Sequence, residues 1–244
     1  MDDKDWQTRV DLAAAFRLAV HFDLHEGIDN HFTYALDEAG ERFLLNPFGL
    51  HWSEVKASDL IEVDGEGRVL AGEGEAEESA VCIHGPLHRR HPKGRCVLHT
   101  HMPYATSLAS LADGHGRLEP ITQTSLMFHD DVAYDEGYAG IADTPEEGER
   151  MVEAMGDKRV LFLANHGVLV TSNSIARAFG DLYFLERACQ AQVLAMSTGR
   201  PLRPISDNIR PTFVGYDEER ERRAELHFAA LKRVLDRDNP GYDA

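Results

Sequence analysis

At 244 residues the chain suits one large domain or two small ones. Hydrophobic residues make up 43% and charged ones 27%, the balance of a globular protein with enough apolar material for a sizeable core. Acidic residues outnumber basic ones 42 to 25, a formal net charge of -17. Such a surface repels phosphate backbones and anionic lipid, which argues against nucleic-acid or membrane partners and does not describe the active site.

The first residues, Met-Asp-Asp-Lys-Asp-Trp, have no positive patch followed by an apolar run, so no secretory signal is expected. No stretch approaches the roughly 18 apolar residues of a membrane span, and the expected location is the cytoplasm. Residues 4 to 26 predict a helix, with Leu12, Phe16, Ala19 and Val20 on one face and Gly27 as its stop. His31 to Leu36 and Arg42 to Leu45 predict short strands around the turn Asp37 to Gly40, and Asn46-Pro-Phe-Gly49 a loop. Ser58 to Val63 and Arg68 to Leu70 flank Asp64-Gly-Glu-Gly67, a hairpin signal, because Asp-Gly readily takes positive φ.

Ser79 to Arg90 predicts a helix ended by His91-Pro92; Cys96 to His101 a strand; and Tyr104 to Leu111 a helix. Pro145 to Met155 predicts another helix, with Thr144 as cap and Glu146 and Glu147 in the first turn, where the dipole favours them. Val160 to Ala164 and Gly167 to Thr171 are apolar strands on either side of Asn165-His166. A long helix covers Ser174 to Ser197 and a charged one Glu218 to Arg237. Residues 200–216, with three prolines, are expected to wrap the surface. Cys82, Cys96 and Cys189 are widely spaced in apolar surroundings without a CxxC pair, and read as reduced core thiols. Short strands interleaved with helices, without repeats or a long linker, predict a single α/β domain over residues 1–244, with 200–244 as a C-terminal extension.

Thirteen histidines are many for this length, but position is more informative than number. His99 and His101 lie two apart on a predicted strand, so both point to one face. His166 sits between two apolar strands, where an Asn-His pair needs a metal bond or hydrogen bonds to offset burial. Spacing alone leaves two readings open, a metal site and a set of hydrogen-bonded structural histidines. His88-Arg-Arg-His91 has arginines that disfavour a cation. His21 and His25 have helical spacing but no HExxH glutamate. Asp130-Asp131 and Glu77-Glu78 read as solvated acidic pairs, and no phosphate loop, nucleophile elbow or Cys/His dyad stands out.

The run Cys96-Val-Leu-His-Thr-His-Met-Pro-Tyr-Ala-Thr, followed by Leu-Ala-Asn-His-Gly, resembles the class II aldolase/adducin family. Four further pieces stand in that family's order: Glu26-Gly-Ile-Asp-Asn-His-Phe-Thr33, Asn46-Pro-Phe-Gly49, the helix carrying His84 and ending in Arg90-His-Pro92, and the long helix after residue 174. The resemblance implies a three-layer α/β/α fold with a mostly antiparallel central sheet, and a homo-tetramer with active sites between subunits. It also implies one divalent transition metal, zinc first and manganese or iron next, on His99, His101 and His166. Aligning His84 with the family's helix histidine puts its metal-binding, acid/base carboxylate at Ala80, with Glu77 and Glu78 off register. The phosphate loop corresponds to Ile28, Asp29, Asn30 and His31, and its serine pair to Glu78 and Ser79, where an acidic side chain repels phosphate.

The resulting expectation is a metal-dependent lyase, an aldolase or decarboxylase, acting on a small unphosphorylated hydroxy- or oxo-acid or sugar. Asn30, His31 and Ser79 would bind substrate. Catalysis would fall to Glu78 or Tyr134, with His129 or a neighbouring subunit as further sources of an acid/base; Tyr134 and Tyr138 lie in a loop region that reaches toward the metal in relatives. Two alternatives stay open on the same fold, a non-haem iron oxygenase and a non-catalytic adducin-like scaffold. The absence of a basic tail and the presence of all three histidines speak against the scaffold.

Overall fold

Eight short segments build one mixed sheet, its central strands buried on both faces: β1 (His31–Ala35), β2 (Arg42–Leu45), β3 (Ile61–Asp64), β4 (Val69–Ala71), β5 (Cys96–Thr100), β6 (Val132–Asp135), β7 (Val160–Leu163) and β8 (Gly167–Ser172). This is a computed structural model, which describes residues 3–112, 114–138, 140, 144–209 and 217–244. The strands run in the order β4-β3-β2-β1-β5-β8-β7-β6. All neighbours are antiparallel except β6 and β7. The helices are α1 (Asp3–His21), α2 (Glu78–Arg90), α3 (Pro103–Ala109), α4 (Pro145–Met155), α5 (Ile175–Met196) and α6 (Asp217–Asp238). Helices α2 and α4 cover one face, α1, α3 and α5 the other, and α6 lies against α5 and α1. The architecture is the three-layer α/β/α sandwich with a mostly antiparallel sheet.

Side-chain alternation divides the sheet's two faces. Leu98, Phe162, Val168 and Val170 enter the larger core with Phe16, Phe32 and Trp52. Their odd-numbered neighbours Val97, Leu161 and Leu169 meet Ile83, Leu87 and Met151 beneath α2 and α4. In the larger core Phe16 stacks on Phe32 with ring centroids 5.1 Å apart, and Trp52 meets Phe16 at 4.8 Å. Buried Arg17 of α1 donates to the carbonyls of Val55 and Pro240 and to Asn239 Oδ1, tying the C-terminal segment to the first helix.

Several boundaries differ from expectation. Helix α1 stops at His21 rather than Glu26, because Asp23 adopts a φ of 58° and Leu24 N–H donates back to Ala19 O; an aspartate fills the left-handed position that usually takes glycine. Strand β6 is an addition to the expected elements. Thr144 stands at the start of α4 but makes no side-chain capping bond. Leu182, Leu185 and Cys189 of α5 are buried within the chain, and Cys82, Cys96 and Cys189 are buried and form no disulfide. Among the described residues no helix is long and apolar enough to cross a membrane. Residues 1–2 of the N-terminal reading, Ala139 beside Tyr138, and residues 210–216 of the proline-containing segment lie outside the described residues.

Candidate metal centre

Three local features bring His99, His101 and His166 together. His99 ends the inward-facing series of β5, opposite His31 of β1 on one side and Leu169 of β8 on the other. His101 follows immediately where the strand ends. His166 lies in the β7–β8 turn, whose Asn165 takes a φ of 56°. Gly167 lets that turn close against β5. A Cβ there would lie 2.4 Å from Thr100 O and 2.9 Å from His101 Cδ2. The ring centroids stand 4.9 Å (99–101), 4.7 Å (99–166) and 4.8 Å (101–166) apart.

The proton positions follow from the partners. His99 Nδ1 lies 3.0 Å from Val168 O, and a carbonyl only accepts, so Nδ1 carries the proton and Nε2 is bare. His101 Nδ1 donates to the Glu26 carboxylate at 2.6 Å, which bares its Nε2 as well. These two lone pairs face each other at 3.1 Å. With both rings neutral neither nitrogen has a proton to share, and a cation between them can take the place of that proton. Two nitrogens about 2.1 Å from one ion lie about 3.0 to 3.5 Å apart between octahedral and tetrahedral angles, so this separation fits. Burial first, and the neighbouring histidines second, keep His99 well below the ordinary imidazole range and push His166 down to about 4. One ligand nitrogen from each of the three lies within 4.8 Å of the others, the grouping a divalent transition metal requires. Glu26 orients His101 as outer carboxylates orient metal-bound imidazoles.

The other expected residues divide. His31 and Ser79 border the triad: the His31 ring is 4.8 Å from that of His99, and Ser79 Oγ is 3.3 Å from His31 Nε2. Asn30 is buried beside them, but its amide serves the backbone: Oδ1 accepts from Glu26 N and His101 N, and Nδ2 donates to Asp29 O. Glu78 is exposed and lines a different hollow with Gly65, Val81, Pro86 and Arg89. The carboxylate of this helix start that turns toward the triad's edge is instead Glu77, which caps α2 and reaches within 3.8 Å of His31 Nε2. Ala80 is buried in an apolar cluster with Phe43, Leu45 and Ile61.

Tyr134 is not brought to the triad within the chain. Its register partner is Phe162, opposite Val168, on the sheet face away from His99. There it stacks on Phe162 at 5.3 Å and its hydroxyl accepts from Leu118 N; burial raises its phenol to about 12. His129 precedes β6, at the sheet end away from the triad, and pairs with Asp130 at 3.3 Å. His88 and His91 do not converge either: His88 bonds Thr33 and Gly94, His91 bonds Lys158 O. The residues missed by sequence reasoning are Glu26, as partner of His101, and Thr33, His84 and His88, buried behind His31. The available signal was the helical i, i+4 spacing of His84 and His88, passed over for the pair His88 and His91.

The model for the Class II Aldolase and Adducin N-terminal domain matches residues 10–193. The chain belongs to this family. A candidate class 2 aldolase of Pseudomonas aeruginosa is 37% identical over 246 residues, covering 98% of this chain and 92% of its own length. The crystal structure of an aldolase II superfamily protein from Pseudomonas syringae superposes with a TM-score of 0.89 at 33% identity, over 100% of this chain and 98% of that one. An L-fuculose 1-phosphate aldolase from Glaciozyma antarctica superposes at 0.82 with 26% identity, over 97% and 92%. Within the class II aldolase and adducin family, this member keeps the histidine triad and carries Ala80 where the resemblance puts a carboxylate.

Proposed function

We propose that the protein is a metal-dependent lyase of the aldolase type, cleaving a carbon–carbon bond in a small, unphosphorylated hydroxy- or oxo-acid or sugar. The observation that carries this reading is the convergence of three imidazoles whose outward hydrogen bonds leave two Nε2 lone pairs facing each other at 3.1 Å. Membership of the family and the likeness to a fuculose-phosphate aldolase support it. A bound divalent ion, zinc by preference, would polarise a carbonyl and stabilise the negative charge left on oxygen after cleavage.

The chain's own residues then have separable tasks. His99, His101 and His166 hold the ion. Glu26 fixes the tautomer of His101, and Asn30 holds the backbone of both. Glu77, beside His31 and Ser79, disfavours a phosphate at that edge. With Ala80 buried, Glu78 turned outward and Tyr134 on the opposite face, the proton-transferring group would come from a neighbouring copy in the homo-tetramer that the family resemblance implies. A cytoplasmic location belongs to the same proposal.

The three-imidazole donor set without a carboxylate at Ala80 also favours a second reading, a non-haem iron oxygenase. Retention of the full triad argues against a purely adducin-like scaffold. The deciding experiment screens hydroxy- and oxo-acids and unphosphorylated sugars with zinc-, manganese- and iron-loaded protein. Aldehyde or carbon dioxide release with zinc or manganese is expected. Oxygen uptake that requires Fe(II), without cleavage under anaerobic conditions, would replace the lyase with the oxygenase.

A further inference from the structure

Behind the triad, β1 and α2 carry a second row of side chains that the proposed chemistry leaves unused. His31 Nδ1 lies 2.8 Å from His84 Nε2, His84 Nδ1 lies 2.6 Å from Thr33 Oγ1, and Thr33 Oγ1 lies 2.7 Å from His88 Nε2. The row ends where His88 Nδ1 meets Gly94 O at 2.5 Å. All four side chains are buried, an environment that favours neutral imidazoles, and the order of the row follows from its hydrogen-bond geometry.

A carbonyl only accepts, so His88 keeps its proton on Nδ1 and its Nε2 accepts from the Thr33 hydroxyl. Thr33 Oγ1 must then accept from His84 Nδ1, and His84 Nε2 from His31 Nδ1. One fixed carbonyl thereby removes the proton from His31 Nε2, the nitrogen at the open end of the row. That nitrogen faces Ser79 Oγ at 3.3 Å and Glu77 Oε2 at 3.8 Å. The Ser79 proton is already given to Glu77 at 2.6 Å. Three acceptors meet with one committed proton among them. A phosphate or carboxylate would only add acceptors; a hydroxyl supplies the donor that is missing. His31 stands directly opposite His99 in the β1–β5 pair, so this edge borders the triad.

We propose that His31 Nε2, with Ser79 and Glu77, forms a subsite that reads a substrate hydroxyl beside the metal-held oxygens and so selects polyhydroxylated, unphosphorylated substrates. The inference rests on the triad reading given above. Thr33 is a positioning residue: it touches no substrate and acts by fixing which nitrogen of His31 is bare.

The test compares binding of glycolate, glycerate and 3-phosphoglycerate to the zinc-loaded protein by calorimetry. All three share the metal-chelating hydroxy-acid group, and only glycerate adds a free hydroxyl. Glycerate is expected to bind about tenfold more tightly than glycolate, the size of one neutral hydrogen bond, and 3-phosphoglycerate more weakly than either. His31→Phe should bring the glycerate preference to near unity. Thr33→Val should reduce it and Thr33→Ser restore it. Nitrogen-15 NMR of labelled histidines should show His31 Nε2 unprotonated in the wild type and mixed in Thr33→Val. Equal affinities in the wild type, a preference that survives His31→Phe, or a protonated His31 Nε2 would overturn the subsite and leave the metal reading standing. Failure of every acid to bind zinc-loaded protein would defeat the hydroxy-acid lyase reading, and the subsite with it, while metal stoichiometry tests the triad separately.

Discussion

The two faces of the central sheet differ more than their shared strands suggest. Toward α1 and α5 the sheet presents Phe32, Leu98, Phe162 and Val168 to an aromatic and aliphatic core. Toward α2, on the alternate residues of the same strands, β1 and β5 present His31, Thr33 and His99. One residue of register therefore separates a hydrocarbon core from a buried polar row. The first face supplies stability, while the second spends part of it to hold imidazoles neutral and aligned for chemistry. Such division requires the buried polar atoms on the second face to find partners, and Thr33, His84 and His88 do so through one another, His31 Nδ1 and Gly94 O, which leaves His31 Nε2 as the open end.

The largest expected effect breaks the apolar face alone. Phe16 is fully buried against Phe32 and Trp52. Phe16→Ala should lower unfolding free energy by about 3 to 5 kcal/mol, measured by chemical denaturation, while the folded fraction keeps wild-type zinc affinity. A parallel loss of metal affinity would mean that the two faces are not separable.

The next effect belongs to the polar face and to pH. His88 has its folded pKa lowered to about 4 from 6.5, chiefly by burial. Below pH 6.5 the unfolded chain takes up a proton that the folded chain refuses until about pH 4. Its contribution is therefore full above pH 6.5 and is lost as pH falls toward 4. Between pH 6.5 and 5, where carboxylates remain largely ionised, His88 alone should account for about 2 kcal/mol of lost stability. Denaturation curves of metal-free protein at pH 7 and 5 should show a smaller drop in His88→Gln than in the wild type. Equal drops would remove His88 from the account.

The smallest effect sharpens the contrast at Tyr134, which shares its face with Phe162. Tyr134→Phe removes the acceptor of Leu118 N–H and should cost about 1 kcal/mol of stability. Once a substrate is in hand, turnover should stay within about twofold of wild type. A larger loss of turnover at unchanged stability would mean that Tyr134 reaches an active site in another subunit.

The strands and helices with clear periodicity and punctuation were legible in the sequence, Pro145–Met155 most of all. Strand β6 was not, because four residues between Asp131 and Glu136 carry little alternation and their parallel pairing with β7 is set by packing. The triad was readable because His99 and His101 share one strand face and His166 stands in a polar interruption of two apolar strands. The row behind it was not, since residues 31 and 33 meet residues 84 and 88 only once β1 and α2 are packed together. The same long-range packing decides why Glu77 and not Glu78 turns toward His31: the side chain that caps α2 folds back over its first turn.

The central claim, that this face holds one metal ion, is tested most directly by mass-spectrometric metal quantification of protein purified without a metal-affinity step, beside His99→Ala. The account predicts close to one zinc or manganese per chain in the wild type and loss of it in the variant. Iron at the same stoichiometry would keep the site and move the chemistry to the oxygenase. No metal in the wild type, even after reconstitution, would contradict the claim and leave an adducin-like scaffold as the better description.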